Sequence, residues 1–152
     1  MSDNNINTQT APYGAFILRV SLGVMFIAHG LILKYFTFTL AGTAQYFESI
    51  GYPAFLAYVV FAAETLGGIA LVLGFQTRLV AFALMPILVG ATLQHVPNGW
   101  VFSTQGGGWE YPVFLIVASA VQGLLGGGAF ALSKREFPLP VLSPGNRAVA
   151  SN

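Results

Sequence analysis

The chain of 152 residues contains no cysteine. That excludes disulfide exchange, thiolate nucleophiles, Cys-ligated zinc, iron–sulfur clusters and C-x-x-C-H haem attachment. Charge is almost as scarce. Only 7% of the residues are Asp, Glu, Lys or Arg, against about 25% in an ordinary soluble domain. The formal net charge of +1 offers no basic surface to nucleic acid. What fills the sequence is apolar: 55% hydrophobic residues and a mean hydropathy of +0.72. Such a chain lacks the polar surface to stay dispersed in water, and its length predicts a single domain embedded in a membrane.

Four apolar stretches, 13–33, 55–73, 79–95 and 113–132, are 21, 19, 17 and 20 residues long. A bilayer-crossing helix needs about 20. The stretches are continuous rather than alternating and too few for a closed barrel. The expected fold is therefore all-α, an integral membrane four-helix bundle over residues 13–133. The first stretch carries Arg19 and His29 and lacks a basic n-region and a small-x-small cleavage site, so it reads as a retained helix rather than a signal peptide. Residues 1–12 read as a flexible polar tail, and residues 134–152, with Pro138, Pro140 and Pro144, as an extended one. Between the first two stretches, Leu40, Ala44, Phe47 and Ile50 share one helical face opposite Gln45, Glu48 and Ser49. A short interfacial helix or an irregular aromatic loop would account for them.

Four crossings put both termini and the turn at 74–78 on one side. That side holds Arg19, Arg78, Lys134, Arg135 and Arg147, while Lys34 stands alone on the other, so the positive-inside rule places both termini in the cytoplasm. Small residues predict close helix packing. Ser119, Gly123 and Gly127 recur every four residues, Gly23 and Gly30 share a face with Arg19 and Phe26, and Gly67 and Gly68 lie one turn from Glu64. The ridge on the last helix leaves a homo-oligomer open. Pro86 should kink the third helix.

Ionisable groups at membrane depth are expensive and need a partner or a task. Arg19 lies near the cytoplasmic end and is read as an anchor that snorkels to the interface. Glu64 is the tenth residue of its 19-residue stretch, roughly 15 Å from either end, and too deep to snorkel. It is either neutral or paired inside the bundle. His29, about 6 Å below the outer end of the first helix, leans toward it and is the expected partner. His95 closes the third helix and Glu110 opens the fourth, both on the outer side, with Lys34 at the rim. These groups converge on the outer half of the bundle. Two His and two carboxylates could ligate a metal, but the paired Glu-x-x-His signature of di-metal bundles is absent, so no metal site is assigned. A quinone or quinol fits better. Its oxygens exchange protons that His29 and Glu64 could supply, and an apolar bundle accepts ring and tail. A polar network that only orients helices or docks a partner is the alternative.

The pieces LRVSLGVMFIAHG (18–30), AAETLGGIALVLGFQTR (62–78), HVPNG (95–99) and GGGWEYP (106–112), in this order and together with Lys34, resemble the DoxX family of small four-helix bacterial membrane proteins. The resemblance covers most of residues 13–133. It implies a multi-pass inner-membrane protein linked to quinone-dependent redox chemistry. Relatives include the DoxD subunit of thiosulfate:quinone oxidoreductase, and others join complexes with soluble sulfur-transfer or superoxide-detoxifying enzymes. It places His29, Glu64, Arg78, His95, Asn98 and Glu110 at patterned positions. One departure is that Lys34 follows His29 by five residues rather than four.

The leading expectation is a quinone- or quinol-binding inner-membrane subunit. His29 and Glu64 would be its proton-exchanging pair, with His95, Glu110, Lys34 and Asn98 around the head group. Electrons would come from a protein partner, because no haem, iron–sulfur or Cys-bound metal ligand set is present. The rival is a non-catalytic scaffold whose outer loops, 34–54 and 96–112, dock a partner in the lipid bilayer. A transporter is disfavoured by the lack of an inverted repeat. The Gly106-Gly107-Gly108 run lacks the lysine and strand of a phosphate loop.

Overall fold

A computed structural model describes residues 9–138 of the chain. Most of the two expected tails, with Arg147, lies outside the described residues. Among the described residues every regular element is a helix. α1 starts at Ala11 with Pro12 in its first turn, where the missing N–H has no helical partner to lose. It runs to Ile27 and continues as a π-helix over Ala28–Thr37. α2 spans Leu40–Ser49, α3 Phe55–Leu73, α4 Thr77–His95 and α5 Glu110–Leu125, with a 3-10 turn, Val96–Asn98, after α4.

Three of these helices are long and apolar enough to cross a membrane: Ala11–Thr37, Phe55–Leu73 and Thr77–Asn98. α5 is apolar but has 16 residues, about 24 Å of rise, less than the roughly 30 Å hydrocarbon core. Less than a third of each long helix's most apolar window is buried, so the outward faces are apolar too. Ile17, Leu66, Leu93 and Phe114 stand exposed on them. Helices apolar all round belong in lipid.

α1 packs on α3 and α4 on α5, and contacts of α3 with α4 and of α1 with α5 close the ring. Leu22, Phe26, Leu71, Leu84, Leu88 and Leu115 fill its centre. The crossing of α1 and α3 is glycine on glycine. A Cβ at Gly23 would stand 2.7 Å from the Gly68 carbonyl oxygen, and one at Gly68 as close to that of Gly23. The packing role expected for these small residues is thus what the helices show. α2 is the short helix of the first connection. Thr39 caps it, its Oγ1 accepting from Gly42 N–H at 3.1 Å, which satisfies one orphan donor. Ala44 is buried while Gln45, Glu48 and Ser49 are exposed.

Two expectations are corrected. The last helix ends at Leu125, not at residue 132, because Gly126 (φ 81°) and Gly128 (φ 68°) take left-handed backbone conformations open to glycine. Residues 126–136 fold back under the other helix ends instead. Ala129 N–H donates to Pro12 O at 2.8 Å and Leu132 N–H to Leu73 O at 3.1 Å. Glu136 Oε2 accepts from Arg78 N–H at 3.2 Å, at the start of α4. Gly127 therefore leaves the expected ridge on the last helix.

The second correction concerns Arg19, which does not snorkel. It is fully buried, and its guanidinium caps the end of α3. Nη1 donates to Leu71 O at 2.8 Å and Val72 O at 2.9 Å, and Nη2 to Ala129 O at 3.2 Å. The last four carbonyls of a helix lack intrahelical donors. Here Ala70 O takes Phe75 N–H, Leu73 O takes Leu132 N–H, and Arg19 serves the two between. A cation at a helix C-terminus is also favoured by the helix dipole. The shared face of Arg19, Gly23 and Phe26 was the sequence signal that this side chain points inward.

Hydrogen bonds from a charged donor contribute roughly 1.5–3 kcal/mol each. Arg19→Met should therefore lower unfolding free energy by at least about 3 kcal/mol. Arg135→Ala, on an exposed side chain, should change it by less than about 0.5 kcal/mol. Denaturant titration in detergent checks both values.

Candidate functional site

The Lys34–Glu64 ion pair is the centre of the polar cluster at the α2 end of the bundle. Lys34 Nζ lies 2.6 Å from Glu64 Oε2, with the two side chains 17% and 7% exposed. Glu64 sits midway along α3. Gly30, across from it on the π-helix, lets the helices close: a Cβ there would meet Glu64 Cβ at 3.1 Å and Thr65 Oγ1 at 2.6 Å. The π-helix explains how Lys34 reaches the pair. In an α-helix, residues five apart point about 140° from each other at roughly 100° per residue. An i→i+5 ladder brings them back toward one face. Phe38 N–H bonds to Leu33 O at 2.8 Å in this register, and Lys34 Nζ itself donates to His29 O at 3.4 Å. The five-residue spacing from His29 to Lys34 is thereby accommodated.

Glu64 thus pairs directly with Lys34 and not with His29, the partner expected from side-chain direction. His29 Nδ1 lies 2.8 Å from Met25 O. A carbonyl only accepts, so Nδ1 carries the proton and donates. Nε2 then has no protein partner among the described residues. The imidazole stacks on Tyr111 of α5, centroids 6.2 Å apart and planes 26° from parallel. Thr43 of α2, buried, closes the cluster from above by donating to Thr39 O at 2.9 Å and Lys34 O at 3.3 Å. Sequence reasoning missed Thr43 and Tyr111, since neither is charged and neither stands out among the aromatic and hydroxyl residues around it.

His95, Asn98 and Glu110 occupy the same end but hold backbone. His95 Nδ1 lies 3.1 Å from both Gly106 O and Gly107 O. Asn98 Nδ2 donates to the same two carbonyls at 3.1 and 3.0 Å. Glu110 Oε1 accepts from Phe102 N–H at 2.8 Å. Together with the edge-to-face pair Trp100–Trp109, centroids 4.4 Å apart, they clasp the connection between α4 and α5. The glycine run is part of this clasp, through the carbonyls of Gly106 and Gly107. Arg78 belongs to the opposite end, beside Glu136. Among the described residues no group of three or more His, Cys, Asp or Glu could hold a metal ion.

Outside the cluster, an open groove of about 490 Å³ runs along α5, lined by Trp100, Phe102, Glu110, Tyr111, Phe114 and Val117, among others. Tyr111 is shared. One of its neighbours is His29, and it also walls the groove. His29 therefore has a neighbour on each side: its carbonyl accepts from Lys34 of the ion pair, and its ring stacks on Tyr111, which walls the groove.

Apolar outward faces around a buried ion pair define a helical membrane protein. The chain belongs to the DoxX family, whose model matches residues 14–97, more than half of it. The match includes His29, Lys34, Glu64 and His95 and stops short of Asn98, Glu110 and Tyr111. Over 80 residues the chain is 41% identical to "Putative oxidoreductase CatD" of Bacillus subtilis (strain 168), covering 53% of this chain and 58% of that protein. Over 70 residues it is 37% identical to "Inner membrane protein YqjF" of Escherichia coli (strain K12), covering 45% and 50%. The chain thus spans little more than half the length of the curated relatives it matches. No solved structure matches it.

A buried ion pair is costly to break from one side, about 3–5 kcal/mol, because the remaining charge is stranded. Lys34→Met and Glu64→Leu should each destabilise the protein by that order. The double variant should recover at least half of the loss, which a double-mutant cycle on thermal unfolding in detergent will read.

Proposed function

We propose that this DoxX-family protein is a four-crossing inner-membrane subunit that binds a quinone or quinol at the α2 end of the bundle and supports quinone-linked redox chemistry with a protein partner. The observation that carries the reading is the His29–Tyr111 stack, in which a residue bonded by Lys34 through its carbonyl meets the wall of the aromatic groove. The groove's walls suit a flat ring and an isoprenoid tail, and its one carboxylate, Glu110, and one phenol, Tyr111, suit an oxygen-bearing head group. When bound, such a group would supply two-electron chemistry coupled to proton transfer. The chain's part is to hold and pass the protons. His29 Nε2 is free to accept one, and Glu64, held by Lys34 at 2.6 Å, is the buried carboxyl group behind it. His95 and Asn98 fix the loop that carries Trp100 and Phe102. The name of the Bacillus relative, "Putative oxidoreductase CatD", agrees with redox work.

A non-catalytic scaffold is the second reading, and one observation favours it. Glu64 is 6% exposed and already paired, so the polar cluster could serve helix register alone. Mass spectrometry of an organic extract of the mildly purified protein separates the two. Stoichiometric quinone in the wild type, lost in Glu64→Gln and His29→Ala while the helical content stays, is the expected result. Lipid alone in all three proteins would leave the scaffold.

The same proposal has both termini in the cytoplasm, with α5 as the fourth crossing. Because the chain has no cysteine, single introduced thiols report sidedness cleanly. Thr104→Cys should react with an impermeant maleimide in intact cells, and Lys134→Cys only after permeabilisation. The opposite pattern inverts the topology.

A further inference from the structure

The end of the bundle opposite the Lys34–Glu64 pair is its most polar interior. Four of the five largest fully buried side chains are polar: Arg19, Gln122, Thr77 and Ser119. Seven buried side-chain polar atoms have no hydrogen-bond partner among the described residues, and six of them belong to this end: Arg19 Nε, Arg78 Nε, Thr77 Oγ1, Ser119 Oγ, Gln122 Oε1 and Glu136 Oε1.

The bare backbone of Gly126 and Gly127 stands among them. Where a Gly127 Cβ would be, Glu136 Oε1 is 2.8 Å and Thr77 Oγ1 3.4 Å away, and Arg78 Nε is 3.1 Å from the same point on Gly126. Gln122 Nε2 donates to Gly126 O at 2.7 Å, with Ser119 one turn back on the same face of α5. Ala131 connects Arg19 to this group. It touches the cradle of Gly127 on one side and that of Gly74, which holds the Arg19 guanidinium, on the other.

We infer that this cluster is a binding site for buried water, with at least two molecules bridging Arg19, Arg78, Thr77, Ser119, Gln122 and Glu136. The ligand's chemistry follows from the mixture of groups. The two Nε–H atoms only donate, the Gln122 and Glu136 oxygens only accept, and the two hydroxyls do either. An anion would satisfy the guanidinium nitrogens and be repelled by Glu136, and a cation would meet two guanidinium groups. Water both donates and accepts. A buried water makes about three hydrogen bonds, so six orphan groups call for about two. Leaving them dry would cost the desolvation of each group. The water site ties residues 126–136 to the ends of α1, α4 and α5. The apolar core of Leu22, Phe26, Leu84, Leu88 and Leu115 separates it from the Lys34–Glu64 pair.

The sign of one substitution distinguishes a wet cluster from a dry one. Thr77→Val keeps the shape and removes a hydroxyl with no protein partner. If that hydroxyl bonds water, the thermal midpoint in detergent falls by about 2–4 °C. If it is dry, the apolar replacement leaves the midpoint unchanged or raises it, and the proposal fails. The second measurement uses the wild type in bilayers with 15N-labelled arginine, of which the chain has four. Magnetisation transferred from water should reach Arg19 Nε–H about as fast as it reaches the exposed Arg135, although Arg19 itself is 0% exposed. No transfer to Arg19 overturns the site, whatever the Thr77 variant does.

Discussion

Inside hydrocarbon, bulk solvent cannot rescue an unpaired charge or carbonyl, so each must be answered by groups held inside the bundle. α1 carries two of the answers. Near its start Arg19 closes the end of α3 by binding Leu71 O and Val72 O. Near its finish Lys34 neutralises Glu64 on the same helix. α3 is therefore held by two charged side chains of α1 and its π-helical continuation, and between them the Gly23–Gly68 contact brings the two backbones together. The remaining helices add to this pair: α2 covers its Lys34 end, and residues 126–136 return from α5 to its Arg19 end.

The legible part of the fold was what hydropathy alone fixes: the stretch at 55–73 became α3 without change, and the third apolar stretch became α4 with two residues added at its start. The end of α5 was less legible, because Gly127 fits a small-residue ridge as well as it fits a turn. Only the hydrogen bonds of Ala129 and Leu132 to Pro12 and Leu73 show the chain turning back. Arg19 was misplaced for a related reason. Depth along a helix suggested snorkelling, whereas the carbonyls that hold Arg19 come from another helix and cannot be read from its own neighbourhood.

The candidate site shows the same division. That ionisable groups gather at one end followed from counting helix positions, and His29, Lys34, Glu64, His95 and Glu110 do lie there, with Asn98, which the family resemblance added, beside His95. Which of them touch did not follow, because the pairing depends on helix geometry that departs from the α pattern. With α-helical spacing, Lys34 would point well away from the His29 face. The π register supplies the rotation that aims it at Glu64.

A ten-residue π-helix is an unusual element, since such ladders are mostly single turns found at functional sites. Here it is confined to the segment that carries His29 and Lys34, and it ends beside Thr39, whose φ of 62° is strained for a β-branched residue. Sheet-like or loop backbone would not be tolerated at this depth, but a widened helix still satisfies its own amides. The segment therefore gains a different side-chain periodicity while its backbone stays helical. The outcome places an ammonium and a carboxylate in contact near an imidazole at one end of the bundle. Helix packing alone would need none of the three, because the Gly23–Gly68 crossing already holds α1 against α3. The departure from regular helix is thus tied to the polar residues it positions, since it turns Lys34 onto Glu64.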